Sequence, residues 1–326
     1  MAADAEITYR SARIEDAERT YEIVVEAGND LNRKAGRPEA ALLPAARVIR
    51  FRHFCVRHDG ERFWVAEADG VMVGAAYATL RDDVWYLGAL HVLPEFQSRK
   101  IGSELIRRCL AGAGTATART VLTEASNPAS NGLYLQFGML PQDSTLGFDG
   151  PTDAAGSSAP AEPPTATGFD VRRIDAAEPP TATGFDVRPI DLEVDQPTLS
   201  ALDLGSVGFS RPTDHEFWMG VPGLRGVLLI GVGSVRGYAY VSDAGAIGPV
   251  AVTRPQDVPP ALDRCLDIAR ESGASRVHVR LFGAARLGSD WAVRRGLRLS
   301  GVGLMLSSRP VGQLDRYVTS GADALY

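Results

Sequence analysis

Residues 90–106 read LHVLPEFQSRKIGSELI. An apolar, strand-like run, Trp85–Leu93, stops at Pro94, and a short polar loop follows. Beyond the loop, Ile101, Leu105, Ile106, Cys109 and Leu110 fall on one face of a helix that opens around Gly102. Strand, polar loop and helix in that order aim several free backbone N–H groups at one point in front of the helix. A phosphate-bearing ligand fits such a point. Taken alone, the stretch also reads as an ordinary strand-to-helix turn of an α/β domain.

A second segment, Asn127–Met139 (NPASNGLYLQFGM), adds to it. Asn127 is suited to cap a helix, Pro128 to its first position, and Gly138 to a left-handed stop. Together the two segments resemble the GNAT superfamily of N-acetyltransferases. That family carries Gln/Arg-x-x-Gly-x-Gly/Ala after a strand ending in Val-x-Pro. Here Val92-Leu93-Pro94 is followed by Gln97-Ser98-Arg99-Lys100-Ile101-Gly102. The family's later pattern, Asn-x-x-Ala-x-x-x-Tyr-x-x-x-Gly-Phe, is matched at Asn127, Tyr134 and Gly138 and nearly so at Ser130 and Met139. One departure stands out: Lys100 replaces the first glycine. It keeps the N–H donor, adds a side chain at a close backbone approach, and brings an ammonium that can pair with a pyrophosphate.

The resemblance implies acetyl-CoA as co-substrate and an amine as acceptor. It implies direct attack through a tetrahedral intermediate, without a covalent enzyme adduct. An amine of pKa near ~10 is protonated at neutral pH, so a proton must leave before attack. The oxyanion wants backbone N–H donors, which the resemblance places at Leu90, His91 and Val92. It places the pyrophosphate on Gln97, Arg99, Lys100, Ile101, Gly102 and Ser103, with Asn127 beside the cofactor. It gives Tyr134 the proton for the departing thiolate. Tyr134, between Leu133 and Phe137, also reads as a half-buried helix aromatic. Arg107 and Arg108 read as solvated helix charges. The general base is open: Glu67, Glu124, His91, His53 and His58 are the candidates, and a water chain could replace them all. Acceptor contacts are expected from 28–60, including Asn29, Asn32, Arg33, Arg52 and His53, with the second domain as a further source.

The chain has 326 residues, 45% of them apolar, which suggests two domains with real cores. Cys55, Cys109 and Cys265 are scattered, with neither disulfide nor metal spacing, and read as core residues in a reducing compartment. No run is long enough to span a bilayer and the N-terminus has no signal-peptide shape, so a cytoplasmic protein is expected. A formal charge of −6 argues against nucleic acid as the partner.

The middle of the chain repeats itself. AEPPTATGFDVRRIDA (161–176) is followed by AEPPTATGFDVRPIDL (177–192), in a Pro/Ala/Gly-rich linker expected over 149–183. The second copy is expected to supply an opening strand, leaving the first as surplus loop. An older repeat is also visible. VMVGAAYATL (71–80) corresponds to SVRGYAYVSD (234–243), and LGALHVLP (87–94) to IGPVAVTR (247–254). The second copy's loop, RPQDVPPAL (254–262), has three prolines, which lack an N–H, and no glycine. Ala292 and Ala285 stand at its tyrosine and asparagine positions.

The expected fold is therefore α/β. It has two tandem GNAT-like domains, each a mixed, mostly antiparallel sheet flanked by helices. Residues 1–148 form the catalytic acetyltransferase domain and 184–326 a degenerate, non-catalytic one. That second domain is left packing, pocket shaping or homodimer formation as its roles. A strand at 140–148 is expected to close the first domain, and the tail from 311 is compatible with a docking helix. The expected acceptor is a small-molecule amine. A non-catalytic acyl-CoA-binding module and a protein lysine acetyltransferase are the alternatives.

Overall fold

The computed structural model describes residues 5–42, 45–114, 117–153 and 184–320, with only the backbone of 45–48. The first repeat copy, 161–176, lies outside the described residues. The first half runs β1 (Ile7–Ser11), α1 (Ala17–Lys34), α2 (Ala45–Asp59), β2 (Phe63–Ala68), β3 (Val71–Arg81), β4 (Val84–Val92), α3 (Ile101–Cys109), β5 (Ala118–Glu124), α4 (Pro128–Gln136) and β6 (Leu140–Pro151). The second half runs β7 (Asp186–Pro189), α5 (Leu192–Ser206), α6 (Pro212–Met219), β8 (Leu224–Gly231), β9 (Ser234–Ser242), β10 (Ala246–Val252), α7 (Val258–Glu271), β11 (Arg276–Phe282), α8 (Arg286–Arg294), β12 (Arg298–Ser307) and β13 (Tyr317–Thr319). The mixed α/β class is as the sequence indicates.

Two compact units result, and neither is a continuous stretch of chain. One takes the residues up to Gln142 together with Gly303–Val311, and the other takes Asp143–Val302 with β13. In the first unit the sheet order is β1-β2-β3-β4-β5-β12. Strands β1 to β4 pair antiparallel, β4 and β5 pair parallel, and β12 runs antiparallel to β5. Strand β3 is buried along almost its whole length, and its small residues Gly74, Ala75, Ala76 and Ala78 let helices lie close. Helix α3 packs on β2, β3 and β4, while α1 and α2 pack on β3. Trp85 of β4 is fully buried and donates its indole N–H to the Cys109 carbonyl at 2.9 Å. A β-bulge in β4 falls at Gly88, where a Cβ would lie 2.2 Å from the Tyr77 ring.

The second unit orders its strands β6-β11-β13-β10-β9-β8-β7. Strand β7, from the second repeat copy, pairs with β8 as β1 pairs with β2. Helix α7 closes a core with Val241, Ile247, Val250, Leu262, Cys265, Val279, Leu281 and Val318. All three cysteines are free and buried.

Two expectations are corrected. Strand β6 does not close the first unit's sheet. It pairs with β11, from Thr145↔Phe282 to Pro151↔Arg276, and β12 fills the place beside β5, from Thr120↔Ser307 to Glu124↔Gly303. The halves have exchanged their last long strands. Alternation of apolar residues marks a strand and its buried face but not the edge it joins, and β5 and β11 are repeats of one another. The strand also continues through Asp149–Pro151, past its expected end, held by Asp149 against His278 at 2.7 Å. Among the described residues of the tail, a short turn, Leu314–Arg316, leads into β13 in place of a docking helix.

Because each unit's sheet ends in a strand from the other half, a chain cut within the linker should yield two interdependent fragments. Residues 1–160 and 177–326, produced separately, are expected to lack native near-ultraviolet circular dichroism and to regain it as a one-to-one complex on mixing. Two independently native monomers in size-exclusion chromatography would contradict the exchange.

Candidate functional site

Strands β4 and β5 are paired only over Val84–Leu87 and Ala118–Val121. Past Leu87 they part, and β5 turns to β12 while Gly88–Val92 continue without a β5 neighbour. Alternate N–H groups of that stretch face the gap. Leu90, His91 and Val92, the residues read from the sequence for this role, are half-buried along it.

The loop follows. A turn at Pro94–Phe96 is closed by the Gln97 N–H, which donates to the Pro94 carbonyl at 3.2 Å. The Gln97 side chain donates to the Val92 carbonyl at 3.0 Å, tying the loop to the end of β4. Ser98 and Lys100 both adopt left-handed backbone conformations, at φ 63° and 62°. Lys100 thus takes the conformation that a glycine there would take freely, at about 1–2 kcal/mol of strain. It is the N-cap of α3, and no side chain caps that helix. The N–H groups of Ile101, Gly102 and Ser103 therefore open onto the loop, a concave array suited to an anion. A Cβ on Gly102 would meet Leu133 at 3.3 Å and Leu90 at 3.7 Å. Helix α3, strand β4 and helix α4 are thus drawn together at this one residue.

The basic side chains divide. Arg99 donates to the Ala5 carbonyl at 3.0 Å and lies over the Phe96 ring, so its guanidinium braces the loop. Arg107 and Arg108 pair with Glu104, and Arg108 also stacks over Tyr9 and Trp64. Lys100 is exposed.

Helix α4 begins as the sequence indicates. The Asn127 side chain accepts from the Ser130 N–H at 3.2 Å and donates to the Ser130 hydroxyl at 2.8 Å. Asn127 thereby acts as a helix cap. Tyr134 follows one turn later and is buried. Burial pushes its pKa up to about 12, against a smaller opposing effect from the Ser130 hydroxyl, so the phenol holds its proton at any physiological pH.

The base candidates are spread out. Glu67 is bound to Arg10 at 2.7 Å, near the sheet's outer edge. His58 is exposed and stacks against Phe54, and His53 is half-buried on α2. His91 lies on β4 opposite Ala75. Glu124 ends β5, at the open end of the parted strands, and pairs with Arg37 at 3.3 Å. Arg37 belongs to a strap that sequence reading missed, because nothing periodic marks it. Asn29 of α1 holds Ala40 through two hydrogen bonds of 2.9 and 2.7 Å, and Arg33 holds Glu39 at 3.1 Å. Arg37 reaches Glu124 and Ser126 beside α4. A cavity of about 460 Å³ lies between strap and helix, lined by residues including Arg19, Glu22, Glu26, Asn29, Arg33 and Leu42. Arg52 and His53 do not line it.

The second unit lacks these parts. Pro259 and Pro260 occupy the start of α7, and Asp257 ahead of it takes Arg236 and Arg254, each at 2.9 Å. Ala285 heads α8 without a side-chain cap. Trp291 donates to Asp263 at 2.7 Å. A cavity of about 590 Å³ there is lined by the carboxylates Asp186, Asp263 and Asp267 with one guanidinium, Arg264, beside Pro260.

Comparisons with known proteins agree with this geometry. No curated protein sequence matches. Among solved structures, an acetyltransferase-fold protein from Pyrococcus horikoshii superposes with a TM-score of 0.70 at 17% identity, over 98% of this chain and 96% of that one. A GCN5-related N-acetyltransferase from Sphaerobacter thermophilus gives 0.61 at 17%, over 95% and 98%. A tandem GNAT protein from the clavulanic acid biosynthesis pathway gives 0.56 at 15%, over 94% and 99%. At such identities these likenesses establish the fold. Residues 27–139 match the acetyltransferase (GNAT) family model. The first half of the chain thus carries a stretch similar to that family, within a fold shared with tandem GNAT structures.

Proposed function

We propose that the first unit transfers acetyl from acetyl-CoA to the amine of a small molecule. The observation that carries this reading is the uncapped first turn of α3 beside the parting of β4 from β5. The residues fit the co-substrate. Backbone N–H groups of Lys100–Ser103 would take the diphosphate, joined by the Lys100 ammonium. The parted stretch of β4 would receive the extended acyl arm, and its N–H groups at Leu90–Val92 would face the oxyanion. Acetyl-CoA supplies an activated thioester, so the protein needs no nucleophile of its own.

Two proton movements remain. Tyr134 keeps its proton and is the group suited to return one to the leaving sulfur. Glu124, at the open end of β5, is the carboxylate suited to take one from the acceptor ammonium, directly or through water. The strap across α1 and the end of β5 supports a small acceptor over a protein lysine. Held to Glu124 and Ser126 by Arg37, it would narrow the space open to a peptide at the end of β5. In the cavity beneath it Glu22 and Glu39 are paired with Arg19 and Arg33, which leaves Glu26 as the carboxylate that would meet a cationic amine. The second unit is a non-catalytic partner in this reading, and three buried free thiols suit a reducing, cytoplasmic setting.

Incubation with acetyl-CoA and a panel of small amines, followed by free-thiol release, tests the reading; tight binding without turnover would replace it with an acyl-CoA-binding module. Tyr134→Phe is expected to lower kcat by about 10²-fold or more with little change in the KM for acetyl-CoA. The wild-type rate should rise with pH and show no alkaline fall below pH 10, because the phenol is still protonated there. Glu124→Gln should lower kcat by about 10²-fold, as removal of a proton acceptor would. Lys100→Gly separates strain from charge. Calorimetry should show about 1 kcal/mol more stability from relief of the left-handed strain. Acetyl-CoA should bind several-fold more weakly at low salt, converging on wild type at high salt.

A further inference from the structure

The second unit repeats the parted strands, and there the groove is already filled. Strands β10 and β11 pair in parallel only at Ala246–Ile247 and His278–Val279. They then diverge, as β4 and β5 do after Leu87 and Val121. Strand β13 enters the gap and pairs antiparallel with both walls. Val250 and Ala251 of β10 face Val318 and Tyr317, and Arg280 and Leu281 of β11 face Thr319 and Val318. Tyr317, Val318 and Thr319 are all buried. In the first unit β4 and β5 are direct neighbours, with no strand seated between them among the described residues.

The fit is specific to this segment. Gly248 sits at φ 137°, and a Cβ there would lie 2.3 Å from the Thr319 carbonyl oxygen. Arg316 donates to the Thr253 carbonyl at 3.1 Å. The Tyr317 ring stacks with Phe282, and the Arg211 guanidinium lies 5.1 Å from its centre. Arg211 is held in turn by Asp203 at 3.1 Å and by the Tyr238 hydroxyl at 2.6 Å, all three fully buried. These polar groups converge at Tyr317, where the tail strand begins.

We propose that β13 is an internal ligand: the tail occupies the second unit's groove by strand addition, excludes an acyl-CoA arm from it, and is what holds that unit together. The mode is β-augmentation, with main-chain hydrogen bonds to both walls and a pocket for one aromatic side chain. The equivalence with an acyl-CoA groove rests on the function proposed above; the tail's role in holding the unit does not.

A chain ending at Val311 tests the idea, with a synthetic peptide of residues 312–320 as the probe. The truncated chain is expected to lose the second unit's cooperative thermal transition and to recover it with the peptide. A truncated chain that melts as wild type and ignores the peptide would overturn the proposal. Binding of one more equivalent of acetyl-CoA than the intact chain takes, displaced by the peptide, would support the exclusion. Should the truncated chain fail to fold, hydrogen exchange on the intact chain decides. The amides of 317–319 are expected to exchange as slowly as those of β10 and β11, and fast independent exchange there refutes the role. An intact chain that binds no acetyl-CoA, yet whose truncated form is rescued by the peptide, would defeat the proposed function and leave the internal ligand standing.

Discussion

Where two parallel strands part, each exposes a row of backbone N–H and C=O groups that must find partners. This constraint organises both halves of the molecule. In the first unit the parted edge of β4 lies beside the bare N-terminus of α3, so the unmet donors of a strand and of a helix share one region. In the second unit the same divergence is met by the chain itself, through β13. One unit leaves donors available to a ligand, and the other satisfies them internally.

The second unit compensates for its altered groove with buried polarity. Asp203 is fully buried, and burial alone would push its carboxyl up; Arg211 and His215 override this and hold it below the usual carboxylate range. His215 bridges Asp203 at 2.9 Å and the Tyr240 hydroxyl at 2.8 Å, so the network links α5 and α6 to β9. Buried ion pairs add little net stability relative to apolar packing, while losing one partner is costly. Such a network acts against alternative arrangements of α5, α6 and the tail more than it adds to cohesion. Where the first half has a helix start without a side-chain cap, the second half has prolines there and a carboxylate, Asp257, held between two arginines.

The strand exchange follows from the repeat. Two halves built from one ancestral pattern present two equivalent edges, β5 and β11, to two equivalent final strands, β6 and β12. Pairing rules accept either assignment, and the long linker permits the crossed one. Each sheet is therefore completed by sequence far from the rest of its unit.

Much of the site was legible because it is local. The spacing of Ile101, Leu105, Ile106 and Cys109 fixed α3, and Asn127 and Pro128 fixed the start of α4, since these signals act within one or two helical turns. The bareness of the loop was legible too, because prolines at 259 and 260 and their absence after Gln97 are facts of composition. Tertiary structure alone decided the left-handed state of Lys100, the diversion of Arg99 to the Ala5 carbonyl, and the strap that carries Arg37 to Glu124. It also decided which sheet receives β6 and that the tail becomes a strand. Those outcomes depend on which surfaces meet across long stretches of chain. A residue's own neighbours in sequence set its backbone preference and its buried face, but partners distant in sequence decide what that face is buried against.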